Sequence, residues 1–317
     1  MSVDLQKQLR DQARKLLEEK QVDLVIGYEG DGTALQTTPC FITDPKDTDK
    51  LVWNCLCDNN LAKYLLNRKE KIAVVAKGCD IRSIVVLISE KQLDRDKIKI
   101  IAMPCRGLID RQKINTFLKG KDIEKADLDG DTLIVKGAGF EEKLKIADFL
   151  ADNCTVCRYK NPVIFDILIG EKTDEPKPQD EYRDIEELES KTPKERWEYF
   201  KKALAKCTRC YACRNACPLC YCKECFVEQN FPAWFGKSTD ISDTMCFHIV
   251  RALHTAGRCV DCGACVRACP NNIDLRKLTK KIEKDIQQMF GTRAGLDLDQ
   301  KPTMADYKLN DPQEFIK

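Results

Sequence analysis

Two repeated cysteine motifs constrain this chain more than any other feature. They read Cys207-Thr-Arg-Cys210-Tyr-Ala-Cys213-Arg-Asn-Ala-Cys217-Pro218 and Cys259-Val-Asp-Cys262-Gly-Ala-Cys265-Val-Arg-Ala-Cys269-Pro270. Soft thiolates at this spacing are typical ligands of 4Fe–4S clusters, and in such paired runs the fourth cysteine ligates the neighbouring cluster. The motifs therefore predict two clusters on eight cysteines. The two expected ligand sets are Cys207, Cys210, Cys213 and Cys269, and Cys217, Cys259, Cys262 and Cys265.

Zinc and disulfides are the alternative interpretations of these cysteines. Structural zinc sites also use Cys-x-x-Cys, but four ligands per ion explain neither the third cysteine nor the Cys-Pro that ends each run. Disulfides could account for many of the 19 cysteines in the chain. Their clustering at metal-ligand spacing, after an amino terminus that lacks the apolar stretch of a signal peptide, argues against disulfides.

Length and charge exclude several other classes of protein. The 317 residues are enough for two domains, and 53 basic and 51 acidic side chains leave a net charge of only +2. A nucleic-acid-binding protein normally carries a basic excess, so we expect no nucleic-acid partner. No apolar run approaches the roughly 20 residues that cross a bilayer, so we expect no transmembrane segment and a cytoplasmic location.

The amino-terminal half alternates strand and helix patterns. Apolar runs predict strands at 22–27, 51–54, Ile72–Ala76, Ile98–Ala102 and 132–135. Helical periodicity predicts helices within 4–20 and at 61–68, 81–93 and 111–118. Strands that alternate with helices indicate an α/β fold with a largely parallel sheet.

Composition predicts four consecutive regions. The α/β domain covers 1–170, and a charged, proline-bearing segment at 171–197 is typical of a linker. Residues 198–290 contain both cysteine motifs, with helical periodicity at 247–257 and after Asp274. We therefore expect an all-α dicluster ferredoxin domain there. The last region, 291–317, has little periodicity and is expected to be an extended tail, either frayed or laid on a partner.

The remaining histidines and cysteines of the second domain are harder to assign. His248 and His254 are expected to pack or to donate hydrogen bonds near a cluster, because eight thiolates already complete two clusters. Four further cysteines could hold another metal, although we favour simple free thiols, which behave as small hydrophobic groups. They are Cys220, Cys222, Cys225 and Cys246.

Four cysteines of the first domain fall where a third cluster could form. Cys79 and Cys105 each follow a predicted strand by a few residues, and a Cys-x-x-Cys pair lies at Cys154 and Cys157. Ligands of an α/β sheet gather beyond the carboxyl ends of its strands, so these thiols can share one edge. The alternative is a set of unrelated structural cysteines.

A glycine-rich loop follows the first predicted strand. Gly30, Gly32 and Thr33 lie in it, and backbone N–H groups of such a loop can approach a phosphate. The loop is not a complete G-x-G-x-x-G, and on these residues alone an ordinary glycine turn is the favoured interpretation.

Three short motifs resemble a known family. Lys77-Gly-Cys-Asp80, Met103-Pro-Cys-Arg-Gly107, and the Cys154/Cys157 pair followed by Asn161-Pro162 and Asp166 are similar to the beta subunits of coenzyme F-420-reducing hydrogenase and formate dehydrogenase. The resemblance covers roughly residues 20–170. The carboxy-terminal region separately resembles the dicluster ferredoxin domains of heterodisulfide-reductase-type electron carriers.

The resemblance implies a flavoprotein-like domain that binds FAD beside a 4Fe–4S cluster, with hydride chemistry at the flavin and a deazaflavin coenzyme as a candidate substrate. It implies cofactor contacts from Gly30, Gly32, Thr33, Lys77, Arg82 and Asn161. It also implies partners within a redox complex, such as a formate dehydrogenase or hydrogenase catalytic subunit or a heterodisulfide-reductase-like subunit.

We therefore expect an iron–sulfur flavoprotein that acts as an electron-transfer subunit of a multisubunit oxidoreductase. The main alternative is a relay that carries clusters but no flavin and no substrate of its own. An iron–sulfur regulator is a third possibility, but the sequence shows no DNA-binding element.

Overall fold

The computed structural model describes residues 3–175, 181–301, 303 and 309–310, and the chain divides into two units. Unit 1 comprises Met1–Ile81 and Leu93–Pro176, and unit 2 comprises Arg82–Gln92 and Lys177–Lys317. The inclusion of residues 82–92 in unit 2 is a feature that the sequence did not predict.

Unit 1 is built on a five-stranded mixed sheet in the order β2-β1-β3-β4-β8. Its strands are β1 (Leu24–Gly30), β2 (Thr37–Ile42), β3 (Ile72–Ala76), β4 (Ile98–Ala102) and β8 (Ile167–Leu168). Only β2 runs antiparallel to its neighbour. All five residues of β3 are buried, as expected for a central parallel strand covered on both faces. The α/β class of this half is confirmed.

A second sheet in unit 1 is a three-stranded antiparallel meander. It consists of β5 (Lys125–Asp129), β6 (Thr132–Gly137) and β7 (Phe140–Lys145). Gly130 and Gly139, in the two connecting turns, have φ of 57° and 76°, a region that glycine enters without steric cost. The sequence predicted only the central strand, because its neighbours are rich in charged residues.

The helices of unit 1 are short apart from the first. They are α1 (Val3–Glu18), α3 (Arg111–Phe117) and α4 (Asp152–Thr155), and α2 (Gly78–Ser89) begins in this unit. Four 3-10 helices accompany them, at Pro45–Lys50, Leu61–Leu65, Arg95–Lys97 and Ile146–Phe149. The α1 helix buries Leu9, Ala13, Leu16 and Leu17, spaced as an amphipathic helix requires.

Two local predictions in unit 1 were wrong. Residues 51–54 form no strand, although the amide of Val52 donates to the carbonyl of Tyr28 at 2.8 Å. Residues 61–68 form the 3-10 helix Leu61–Leu65 instead of an α-helix, capped by the side chain of Asn60. In both places the neighbouring sheet, and not local propensity, decides the conformation.

Within its described residues, unit 2 contains helices and no strand. Besides the later turns of α2, they are α5 (Arg183–Glu189), α6 (Pro193–Leu204), α7 (Ala212–Asn215), α8 (Ile241–His254), α9 (Ala264–Arg267) and α10 (Arg276–Phe290). Nowhere in the described residues is a helix both long and apolar enough to cross a bilayer.

The described part of the predicted linker at 171–197 contains two helices, α5 and the start of α6. Ile185 and Leu188 of α5 are buried, and Thr192 and Glu195 form a capping box that starts α6. The charged composition hid an amphipathic helix, in which Asp184 and Glu189 pair with Arg276 and Lys281. Residues 176–180 lie outside the described part.

The predicted tail at 291–317 begins as a packed segment of unit 2. Ala294 is buried, and Arg293 donates to the carboxylate of Glu181 at 2.8 Å. Residues 302, 304–308 and 311–317 lie outside the described part, so the expected extended arm remains a prediction.

Candidate functional site

The two cysteine motifs of unit 2 have the same backbone conformation. Arg209 and Tyr211 in the first motif have φ of 51° and 59°. Asp261 and Gly263, at the equivalent positions of the second motif, have φ of 54° and 71°. A left-handed residue between each pair of cysteines curls the loop. The first three cysteines of each motif therefore share one backbone frame, which continues into α7 or α9.

The last cysteine of the second motif lies with the first motif. Burial raises the pKa of Cys207, and the nearby Cys269 and Cys210 raise it further. Burial likewise raises the pKa of Cys213 to about 11, with Cys265, Cys207 and Cys269 contributing. The structure therefore brings Cys269 close to Cys207 and Cys213, which pack with it in one hydrophobic cluster.

The converse holds for the last cysteine of the first motif. Cys217 lines a single cavity together with Cys259, Cys262 and Cys265. Burial raises the pKa of Cys265 to about 11, and Cys217 and Cys262 add to that effect. Four thiols around one cavity are a soft donor set that fits an iron–sulfur cluster. The grouping around this cavity is the one expected for the second ligand set, and cluster binding at both sets remains a prediction.

Two histidines on α8 have different surroundings. The Nε2 of His248 lies 3.3 Å from the Sγ of Cys207. Burial lowers the pKa of His248 to about 4, with Arg251 and Arg209 contributing, so its ring is neutral at pH 7. His254 instead packs edge-on against Phe226, with ring centroids 5.2 Å apart.

The four additional cysteines of unit 2 differ in exposure. Cys222 and Cys246 are exposed, while Cys225 packs against an apolar cluster of the unit. The thiol of Cys220 is hydrogen-bonded to Cys217 and raises the pKa of that neighbour. Among the residues that the structure describes, no three Cys, His, Asp or Glu side chains converge closely enough to hold a single metal ion.

Three of the four candidate cysteines of unit 1 lie together. Burial raises the pKa of Cys105 to about 12, and Cys154 and Cys157 raise it further. The amide of Gly107 donates to the Sγ of Cys105, and that of Leu108 donates to the Sγ of Cys154, both at 3.4 Å. Such N–H···S bonds are typical of iron–sulfur ligands and stabilise thiolates.

Cys79, the fourth candidate, lies at the start of α2 in the same part of unit 1. A Cβ on the preceding residue, Gly78, would approach the carbonyl oxygen of Tyr159 to 2.2 Å. The chain that follows Cys157 therefore packs directly on the first turn of α2. Cys79 and Cys105 also both raise the pKa of Lys77, against the lowering effect of its burial. The donor chemistry of these four thiols fits a cluster.

Three of the predicted cofactor contacts are engaged within the protein. Lys77 is buried, and its Nζ donates to Asp80 at 2.9 Å and to the carbonyl of Asn59 at 2.6 Å. Arg82 donates to the carbonyls of Ala294 and Val260 at 2.7 and 3.2 Å. The side chain of Asn161 donates to the carbonyl of Thr173 at 2.7 Å. Their proposed contacts with a cofactor therefore remain a prediction.

The glycine loop has a different environment. Gly30 and Gly32 face open space, and the hydroxyl of Thr33 donates to Asp31 at 2.7 Å. Thr33 lines an open cavity with Arg111 and Lys121, two cationic side chains that sequence reasoning did not single out. Asp122 also lines this cavity, and Arg111 is paired with Asp58 at 3.1 Å, so the lining carries charges of both signs.

Sequence reasoning also missed Arg251, which lines the cavity of the second thiol set. A cation inside the apolar stretch of α8 was the available signal, because a buried arginine requires a partner.

Two family models match parts of this chain. Residues 69–196 match the family model for the carboxy-terminal part of the coenzyme F420 hydrogenase/dehydrogenase beta subunit. Residues 254–273 match the 4Fe-4S binding domain, and this stretch contains the whole second cysteine motif.

Curated relatives match nearly the full length. The F420-dependent formate dehydrogenase subunit beta of Methanocaldococcus jannaschii is 26% identical over 89% of this chain and 89% of its own. The F420-dependent formate dehydrogenase 1 subunit beta of Methanococcus maripaludis is 26% identical over 91% of this chain and 90% of its own.

A solved structure of the F420-reducing [NiFe] hydrogenase complex from Methanosarcina barkeri, obtained with xenon derivatization, is more distant. It covers 50% of this chain and 59% of its own chain at 13% identity, with a TM-score of 0.36. The family match and the curated relatives confirm the resemblance to the coenzyme F420 hydrogenase/dehydrogenase beta-subunit family, and the chain carries a 4Fe-4S binding domain.

Proposed function

We propose that this chain is an electron-transfer subunit of a multisubunit oxidoreductase, with two 4Fe–4S clusters in unit 2. The observation that carries the proposal is that the last cysteine of each motif lies with the first cysteines of the other motif, which we call the exchange of the terminal cysteines. Cys269 lies with Cys207 and Cys213, and Cys217 lies with the thiols of the second motif. Two independent zinc sites would give no reason for this exchange.

The protein's own residues provide a suitable environment for both clusters. Burial raises the pKa of Cys213 and Cys265 to about 11, so these thiols are protonated until a metal replaces the proton. The surrounding apolar residues limit the access of water, and His248 lies within hydrogen-bond distance of a ligand sulfur. Access of water and hydrogen bonds to sulfur both influence the reduction potential.

A third cluster is proposed on Cys79, Cys105, Cys154 and Cys157 of unit 1. The grouping of Cys105 with Cys154 and Cys157, and the two amide N–H···S bonds, support it. When bound, the clusters supply one-electron transfer, and a flavin supplies the exchange between hydride and single electrons.

We also propose that the chain binds FAD. The support for it is the cavity that Thr33 shares with Arg111 and Lys121, two cationic side chains that would attract a pyrophosphate, although Asp122 also lines it. The deazaflavin coenzyme is proposed as a substrate because the relatives from two methanogens are F420-dependent formate dehydrogenase subunits. A formate dehydrogenase or hydrogenase catalytic subunit is the proposed partner, and a heterodisulfide-reductase-like subunit is another candidate.

The second candidate function is a relay without flavin. It is favoured by the internal hydrogen bonds of Lys77, Arg82 and Asn161, which engage these side chains within the protein.

An anaerobic preparation with iron, sulfide, zinc and flavin quantified tests both functions. Three 4Fe–4S clusters correspond to ~12 iron atoms per chain, and two correspond to ~8. One flavin per chain supports the flavoprotein, and a full iron content without flavin supports the relay. Stoichiometric zinc with little iron would contradict both.

A further inference from the structure

Arg251 is a buried cation at the edge of the second thiol set. It lies on α8, is 5% exposed and lines the cavity formed by Cys217, Cys259, Cys262 and Cys265. Its Nη2 donates to the carbonyl of Cys213 at 3.0 Å, so this side chain also contacts the backbone of the first motif. Its Nε has no hydrogen-bond acceptor within the described part of the chain.

No carboxylate within the described residues neutralises this guanidinium by a salt bridge of its own. The acid in the same cavity, Asp261, is instead paired with Arg276 at 2.6 Å and with Lys280 at 3.4 Å. Burial by itself lowers the pKa of Arg251, but nearby cysteines, first Cys265 and then Cys217, raise it more strongly. Once a cluster is bound, the groups positioned to compensate the Arg251 charge are therefore the ligand thiolates.

We infer that Arg251 raises the reduction potential of the 4Fe–4S cluster held by Cys217, Cys259, Cys262 and Cys265. The inference rests on the proposed function, since it presupposes that the cluster is bound. One-electron reduction adds one negative charge to the cluster and its thiolates. A fixed positive charge in a buried site stabilises the reduced state more than the oxidised state, and the effect is large where the dielectric constant is low.

Charge, and not only hydrogen bonding, distinguishes Arg251 from its neighbour His248. The two residues are three positions apart on α8 and therefore lie on nearby parts of its surface. His248 contacts the sulfur of Cys207 in the first set but is neutral at pH 7. Arg209, a buried arginine within the first motif, instead donates to the carbonyls of Gly236 and Ser238.

The test is a redox titration of the anaerobic, cluster-loaded full-length chain, followed by EPR. Arg251→Gln removes the charge and Arg251→Lys keeps it. Arg196→Gln is the matched control, because Arg196 also donates to backbone carbonyls of unit 2, those of Glu189 and Lys191. We expect Arg251→Gln to lower the reduced-to-oxidised ratio of one cluster at least tenfold at a fixed potential, which is 59 mV for a one-electron couple.

Arg251→Lys should retain most of the wild-type ratio, and Arg196→Gln should leave it unchanged. The inference is overturned if Arg251→Gln keeps its full iron content and the reduced-to-oxidised ratio of every cluster, at the same fixed potential, stays within twofold of the wild-type ratio. If Arg251→Lys lowers the reduced-to-oxidised ratio as much as Arg251→Gln does, the inference is also overturned, because lysine keeps the positive charge.

If Arg251→Gln loses iron, pulsed EPR of the unsubstituted chain provides a second test, because it detects nitrogen atoms close to a reduced cluster. With ¹⁵N in the arginine guanidinium groups, a nitrogen coupling that disappears in Arg251→Lys is expected for one reduced cluster. Absence of any such coupling would overturn the inference. A wild-type chain without an EPR-active cluster would instead contradict the proposed function itself.

Discussion

The Nζ of Lys77 lies 2.9 Å from the Oδ2 of Asp80, and the two side chains are 1% and 0% exposed. The pair sits at the start of α2, on either side of Cys79. The hydroxyl of Tyr28 and the carbonyl of Asn59 complete the surroundings of the ammonium group. Lys77 therefore supports the chain around a candidate cluster ligand.

Replacing Lys77 with Met should destabilise unit 1 by about 3–5 kcal/mol, because it leaves the buried Asp80 carboxylate without its cation. Chemical denaturation followed by circular dichroism measures the change. The double replacement Lys77→Met/Asp80→Leu should recover part of the loss, since no buried charge remains.

The control for this substitution is Lys50→Met, which removes a solvent-exposed pair with Asp47 and should leave the denaturation midpoint unchanged. An unchanged midpoint in Lys77→Met as well would show that the buried pair makes no net contribution to stability.

The exchange of terminal cysteines predicts which double substitutions share a cluster. Cys217→Ser combined with Cys259→Ser should lose the same ~4 iron atoms as either change alone, since both thiols line one cavity. Cys217→Ser combined with Cys207→Ser should lose ~8. Iron and sulfide analysis of anaerobically reconstituted protein distinguishes the two results. If the second pair loses only one cluster, each motif holds its own cluster and the exchange is wrong.

The third cluster is tested in unit 1 with a matched cysteine. Cys79→Ser and Cys157→Ser should each lower the iron content by ~4 atoms and leave the two clusters of unit 2 in place. Cys57→Ser is the control. Burial raises the pKa of Cys57 to about 12, and its thiol donates to the carbonyl of Val52, so it should hold no iron. Unchanged iron in both test variants would remove this cluster from the proposal.

Two glycines of unit 1 should respond differently to a methyl group. In Gly78→Ala the new Cβ would lie 2.2 Å from the carbonyl oxygen of Tyr159, so the backbone must shift, at a cost of roughly 1–3 kcal/mol. The Cβ of Gly30→Ala would meet nothing within 4 Å. The midpoint temperature of thermal unfolding and the iron content should both fall in Gly78→Ala and stay unchanged in Gly30→Ala. Equal behaviour of the two variants would contradict the close packing at α2.

Patterns that depend on a few neighbouring residues were visible in the sequence. The strands Ile72–Ala76 and Ile98–Ala102 were predicted with their observed bounds, because strands buried on both faces are continuous apolar runs. The cysteine motifs were visible for a similar reason, since the reach of three thiols on one loop is set by residue spacing. The edge strands β2 and β8 were missed, because short strands at the edge of a sheet carry no such run.

The features that only the tertiary structure decided involve residues far apart in the chain. The segment 171–197 is charged throughout, yet Ile185 is buried and Glu181 pairs with Arg293. In the sequence Arg251 is one charged residue in a predicted helix, and only the folded structure places it beside the thiols of one cavity and the backbone carbonyl of Cys213. Burial and charge pairing depend on which distant segments meet, and local composition carries no record of those partners.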